Sequence, residues 1–166
     1  MEKLISILQS FSFLLLKEKE WGGYVNLLTG EIEGPWEGND SSFPGGSPEE
    51  ERAKRDQGWV SFHTHPDDGS SIPEPSGQDF LAANLRGAPE YVITTRGIWE
   101  VKPVKVLPIE EVRRLDEGVW AKAQDLEFQW GDPAYWFWRD LLQKALPVEV
   151  TLPRKLAGRA GRSSES

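Results

Sequence analysis

The stretch from Trp59 to Pro66, with the sequence WVSFHTHP, contains both histidines of the chain. Its apolar run is typical of a buried strand and predicts one from Gly58 to His63. Residues i and i+2 of a strand point to the same face, so we expect His63 and His65 to converge on one point. The stretch therefore predicts a central strand that ends at a binding site.

A carboxylate follows at the start of a predicted helix. Asp79 closes the tetrapeptide SGQD, and ten residues separate His65 from its first residue, Ser76. Alone, Ser-x-x-Asp at a helix start is close to an ordinary capping box, and a capping role for Ser76 is compatible with a ligand role for Asp79. Two imidazoles and one carboxylate leave zinc a fourth position for water. His63, His65 and Asp79 are therefore the candidate ligands of one Zn²⁺ ion.

Composition narrows the kinds of site and partner. The chain has 166 residues and no cysteine, so any metal must be held by nitrogen and oxygen atoms. Its formal net charge is −8, which argues against nucleic acid as the main partner because phosphate binding requires a basic face. The length fits one domain with a C-terminal extension.

The apolar segment from Leu4 to Leu16 resembles a signal peptide in composition. It lacks a strongly basic start and a small-residue cleavage site, and it is too short to cross a bilayer. Its apolar residues instead fall on one stripe of a helix: Leu4, Ile5, Leu8, Phe11 and Leu15. We expect a buried amphipathic helix over residues 2–17, no membrane partner, and a cytoplasmic location.

The order of the remaining elements predicts an α/β domain with a mixed sheet over residues 1–108. A helical C-terminal extension is expected over 109–153, followed by a disordered tail over 154–166. Residues 34–46 and 66–75 are predicted loops. The predicted strands are 18–28, 31–33, 58–63, 91–95 and 98–101, and the later helices begin at Ser47, Ser76, Pro108 and Asp132.

Two segments, Phe62–Pro66 and Pro75–Asp79, together resemble the motif of the JAMM (JAB/MPN, Mov34-type) zinc metalloprotease family in its prokaryotic, single-domain form. That motif is His-x-His, a spacer and Ser-x-x-Asp, with a glutamate supplied by an early strand. The resemblance covers about residues 1–107, although the spacer is longer than in the family's best-known eukaryotic members. It implies the three-layer, cytidine-deaminase-like JAB/MPN fold, with a mixed, curved central sheet between helices.

The resemblance also implies catalytic roles. The family's glutamate is the general base, and Glu20, just before the dipeptide Gly22-Gly23, best matches its Glu-x-x-Gly environment. Glu18, two residues earlier, is the alternative. Ser76 would donate a hydrogen bond to the oxyanion of the tetrahedral intermediate.

The implied activity is that of a deubiquitinase-like isopeptidase or peptidase, which cleaves after the C-terminal tail of a ubiquitin-like protein. Such a tail is extended and could bind by strand addition, with loop 34–46 and its Trp36 and Phe43 as a flanking element. Two other classes remain open: a different zinc hydrolase such as an amidase, and a non-catalytic MPN scaffold. The aromatic residues Tyr135–Trp138 are expected to pack within the chain, with a homodimer or partner contact as the alternative.

Overall fold

The chain folds into one mixed six-stranded sheet with helices packed against it, which confirms the predicted α/β class. The structure is a computed structural model and describes residues 2–17, 19–38, 46–66, 73–124 and 133–155. In chain order the elements are α1 (Glu2–Gln9), a 3₁₀ helix (Ser12–Leu16), β1 (Trp21–Asn26), β2 (Ile32–Glu37), α2 (Pro48–Asp56), β3 (Trp59–Thr64), α3 (Gly77–Arg86), β4 (Glu90–Thr94), β5 (Gly97–Pro103), α4 (Ile109–Ala123), α5 (Pro133–Ala145) and β6 (Val148–Lys155).

The predicted strand with the histidines, β3, lies inside the sheet, whose strand order is β2-β1-β3-β4-β5-β6. It pairs antiparallel with β1, where Gly22 is opposite His63, and parallel with β4. All six of its residues are buried. Helix α3 makes the crossover between β3 and β4, so it begins at the edge where β3 ends. Ligands of open α/β sheets commonly bind at such a carboxyl edge.

The predicted helix over residues 2–17 is broken. Helix α1 ends at Gln9, and a 3₁₀ helix resumes at Ser12. The hydroxyls of Ser10 and Ser12 donate to the carbonyls of Ile7 and Gln9, at 2.5 and 2.7 Å. Serine side chains that bond to nearby backbone in this way compete with regular helix. The predicted apolar stripe still packs against the sheet, and no helix within the described residues is long and apolar enough to cross a membrane.

The loop predicted from residue 34 begins too early. Strand β2 continues to Glu37, and Trp36 lies in it, opposite Gly22 of β1. The neighbouring Gly23 allows this pairing, because a Cβ added there would lie 2.2 Å from the carbonyl oxygen of Glu33. Residues 39–45, which include Phe43, lie outside the described residues.

The segment expected to be a helical extension contains α4 and α5 but ends in a strand. β6 pairs antiparallel with β5 and extends the sheet through Lys155, beyond the start of the predicted tail. Its side chains alternate between half-buried and exposed, as expected of an edge strand.

Helices α4 and α5 share an apolar cluster, and the half-buried Leu81 and Leu85 of α3 are part of it. Residues 125–132 and 156–166 lie outside the described residues, and the division at residue 108 stays a prediction.

Candidate metal centre

Three side chains able to bind a metal meet at the carboxyl end of β3. His63 lies in β3, and His65 lies just past its end, where its N–H still donates to the Ile93 carbonyl of β4 at 2.9 Å. This bond continues the strand pairing, so both imidazoles remain on one side of the sheet, with ring centroids 5.2 Å apart. Asp79 lies in the first turn of α3. All three residues are buried.

The spacing of the ligand atoms suits a small cation. One nitrogen or oxygen atom from each residue lies within 4.8 Å of the others. Asp79 Oδ1 is 2.9 Å from His63 Nε2, and Asp79 Oδ2 is 3.2 Å from His65 Nε2. Ligand atoms about 2.0–2.2 Å from a tetrahedral ion lie roughly 3.3–3.6 Å from one another, which is within the 4.8 Å spread of the three residues. The three residues therefore fit a metal ion, and they are the one such group found in the described ranges.

Glu90, a fourth buried side chain, contacts the other nitrogen of the His63 ring. Its Oε2 lies 2.8 Å from His63 Nδ1, and its Oε1 accepts a hydrogen bond from Ser61 Oγ at 2.7 Å. Glu90 begins β4, and the parallel register places it beside Ser61. The sequence prediction missed this residue. The sequence signal that could have identified Glu90 is its position as a charged residue directly before a predicted buried strand.

Buried polar contacts continue from Glu90 away from the three candidate ligands. Arg86 donates to Glu90, and its Nε and Nη2 donate to Glu51 at 2.9 and 2.6 Å. Tyr24 donates to the other oxygen of Glu51 at 2.5 Å. We call Glu90, Arg86, Glu51 and Tyr24 the buried network. If both imidazoles are neutral, the buried network and Asp79 together contain three carboxylates and one guanidinium. Their formal charge is −2, which a divalent cation would balance.

In the protein without metal, protons supply part of this balance. Burial alone would lower the pKa of His63, but Asp79 and Glu90 outweigh it and raise that pKa well above 6.5. Burial would raise the pKa of Asp79, yet His63 and His65 hold it well below 3.8. Arg86 and His63 outweigh burial at Glu90 and lower its pKa to about 2. A metal ion would therefore displace a proton from His63.

Ser76 caps α3, as predicted. Its Oγ accepts the N–H of Asp79 at 3.2 Å, and Asp79 Oδ2 accepts the N–H of Ser76 at 2.7 Å. This pair of bonds orients the Asp79 carboxylate towards the imidazoles. Because the Ser76 oxygen is the acceptor here, its hydroxyl hydrogen can still be donated to another group.

Glu20 lies immediately before β1 and is buried. The N–H of the next residue, Trp21, donates to Thr64 Oγ1 at 3.0 Å, so this segment runs beside the residue between the two histidines. Burial is the largest influence on Glu20 and raises its pKa, and the charges of His63 and His65 oppose this rise. The structure thus brings Glu20 within electrostatic reach of the cluster. Glu18 lies outside the described residues.

Helix α5 packs behind the first turn of α3. The hydroxyl of Tyr135 accepts the N–H of Gly77 at 3.2 Å, and Trp138 covers Gly77 so closely that an added Cβ would lie 2.4 Å from its ring. Arg139 forms an ion pair with Glu74 at 3.2 Å, just before Ser76.

Tyr135 and Trp138 are buried, as expected for packing within the chain. Trp136 is half-buried, and Phe137 is exposed.

The middle of the long spacer, residues 67–72, lies outside the described residues. Comparisons of the chain with protein-family models, with curated proteins and with solved structures gave no match.

Proposed function

We propose that this chain is a zinc-dependent isopeptidase or peptidase of the JAMM type, built on the JAB/MPN fold. The supporting observation is the convergence of three buried side chains able to bind a metal, His63, His65 and Asp79, with Glu20 and Ser76 on adjoining segments. Two imidazoles and a carboxylate form a ligand set that catalytic zinc uses, with one position left for water. The mixed sheet with flanking helices is compatible with the proposed fold.

Each protein group has a distinct role in the proposed reaction. Zinc, when bound, would supply the positive charge that acidifies a water molecule and polarises the substrate carbonyl. Glu20 takes the proton from the attacking water and delivers it to the leaving amine, and its raised pKa suits both steps. Ser76 donates its hydroxyl hydrogen to the oxygen that becomes negative in the tetrahedral intermediate.

The substrate that we propose is the C-terminal tail of a ubiquitin-like protein, joined through its last carbonyl to an amine. Strand β2 supports this choice because it is an edge of the sheet and pairs with β1, whose start adjoins Glu20. An extended peptide can add to such an edge through main-chain hydrogen bonds. Pro35 removes one donor from β2, so the bonding would be incomplete at that position.

The test is cleavage of a ubiquitin-like protein that is fused through its Gly-Gly tail to a reporter. Zinc-loaded wild type should release the reporter. Glu20→Gln should lower turnover by at least about a hundredfold, because a general base typically contributes a factor of about 10²–10⁴. This variant should still bind one zinc ion, since Glu20 is not among the three ligands. Glu31→Gln, at an exposed position after β1, is the matched control and should cleave like wild type.

The alternatives give different results in the same assay. A protein that binds zinc but leaves every ubiquitin-like fusion intact contradicts the proposed substrate and favours another zinc hydrolase, such as an amidase. A protein that binds no zinc contradicts the proposed chemistry and favours a non-catalytic scaffold. Equal turnover by Glu20→Gln and wild type would reject Glu20 as the base.

A further inference from the structure

The carboxylate of Glu90 has two oxygens with different partners. Oε1 accepts from Ser61 at 2.7 Å and from Arg86, whereas Oε2 faces His63 Nδ1 at 2.8 Å. Ser61 and Arg86 thus contact one oxygen of the carboxylate, and the second oxygen contacts the His63 ring.

We propose that Glu90 is a positioning residue for the metal ligand His63: it keeps a proton on Nδ1 and directs Nε2 towards the metal position. The inference rests on the metal site of the proposed function. A carboxylate that accepts from the outer nitrogen of a metal-binding histidine fixes the ring, selects the tautomer and makes the inner nitrogen a stronger donor. The geometry fits, since Nε2 of the same ring lies 2.9 Å from Asp79 Oδ1.

The rest of the buried network keeps Glu90 charged. A lone carboxylate with 2 % exposure would be costly to ionise. Arg86 offsets that cost, and Glu51 holds Arg86 through two hydrogen bonds. Tyr24 in turn donates to Glu51. The network thus connects α2, α3, β4 and β1 to one nitrogen atom of His63, although most of its members do not touch the ligands.

Glutamine at position 90 would conserve the shape and remove this function. If the amide oxygen faces His63, the amide NH₂ is directed at the guanidinium of Arg86, which has only donors. If the amide is turned round, its NH₂ faces the Nδ1–H of His63. Either orientation leaves one buried contact between two donors, so Nδ1 of His63 loses a good acceptor or Arg86 loses a partner.

The experiment compares the zinc affinity of Glu90→Gln with that of Glu100→Gln, measured by competition with a chromophoric chelator. Glu100 is a matched control, because it is a half-buried strand glutamate that accepts from Tyr91 at 2.6 Å. We expect Glu90→Gln to bind zinc about 10–100-fold more weakly than wild type, as is typical when such outer partners are lost. Glu100→Gln should bind like wild type. Glu51→Gln, which acts through Arg86, should give a smaller loss than Glu90→Gln.

A second measurement uses the wild-type protein alone and does not depend on how well a variant folds. In the zinc-loaded protein, ¹⁵N NMR should show the His63 proton on Nδ1 and the metal on Nε2. Zinc bound through Nδ1 would overturn the inference, as would a Glu90→Gln affinity equal to that of Glu100→Gln. Failure of the wild type to bind zinc would reject the proposed function itself, and this inference with it.

Discussion

The two sides of the candidate metal centre are held in different ways. On the β3–β4 side, His63 contacts Glu90, and a chain of buried charges continues from there to Glu51. On the α3 side, Asp79 and Ser76 are fixed by a capping box whose first helical residue, Gly77, packs against aromatic rings of α5. One side depends on charge and the other on shape.

This difference separates two requirements of a metal centre. Charge on the β3–β4 side determines the protonation of the histidine and how strongly its nitrogen donates. Close packing on the α3 side determines where the helix N-terminus lies, and with it Asp79 and the Ser76 hydroxyl. Because the packing comes from Tyr135 and Trp138, the segment after residue 108 contacts the candidate site directly.

The largest effect is expected from an added methyl group on the shape-dependent side. In Gly77→Ala the new Cβ would lie 2.4 Å from the ring of Trp138, so the ring or the helix start must move. Overpacking of this kind costs about 1–3 kcal/mol, measured as the free energy of unfolding in urea.

Gly118 provides the matched control. It lies exposed in α4 with nothing within 4 Å of an added Cβ. Gly118→Ala should therefore stabilise the protein by about 0.5–1 kcal/mol through helix propensity. If Gly77→Ala is as stable as wild type, or gains stability as Gly118→Ala does, Trp138 does not constrain the start of α3.

On the charged side, a change of one pH unit is expected to have a smaller effect. The pKa of His63 is raised above 6.5, so its protonation stabilises the metal-free protein fully below pH 6.5. That stability is lost as pH rises through the pKa of the folded state. Zinc needs the neutral ring, so its affinity rises over the same interval.

The increase in unfolding temperature on zinc addition should therefore grow from about pH 6 to about pH 8. The free energy by which zinc stabilises the protein should grow by about 1.4 kcal/mol per pH unit for each proton displaced. Differential scanning calorimetry with and without zinc measures the unfolding temperatures. A constant increase across this interval would indicate that zinc displaces no proton, contrary to the charge balance of the site.

The sequence was sufficient to predict the cluster of candidate ligands, because the patterns that indicate it are local. Strand alternation predicted that His63 and His65 point to the same face, and the capping pattern predicted Asp79 in the first turn of a helix. The structure has both features. That helix also ends at a local signal, because Gly87 adopts a left-handed conformation with φ of 68°. Both features depend on neighbours within a few residues.

The buried network could not be predicted in the same way, because its partners come from distant elements. Glu51 and Arg86 are separated by 35 residues, and Glu90 and His63 by 27. In the sequence, Glu51 is simply one acid among several at the start of α2. β6 was not predicted for a different reason. Residues 148–155 alternate as a strand does, but they were interpreted as part of the helical extension expected up to residue 153.

The most direct test is a crystal structure of the zinc-loaded protein, with anomalous diffraction measured at the zinc edge. We expect one ion, about 2.0–2.2 Å from His63 Nε2, His65 Nε2 and one oxygen of Asp79, with Glu90 still bonded to His63 Nδ1. Anomalous signal only at other positions would contradict the assignment of these residues as a metal centre. So would the absence of any anomalous signal from crystals grown with excess zinc.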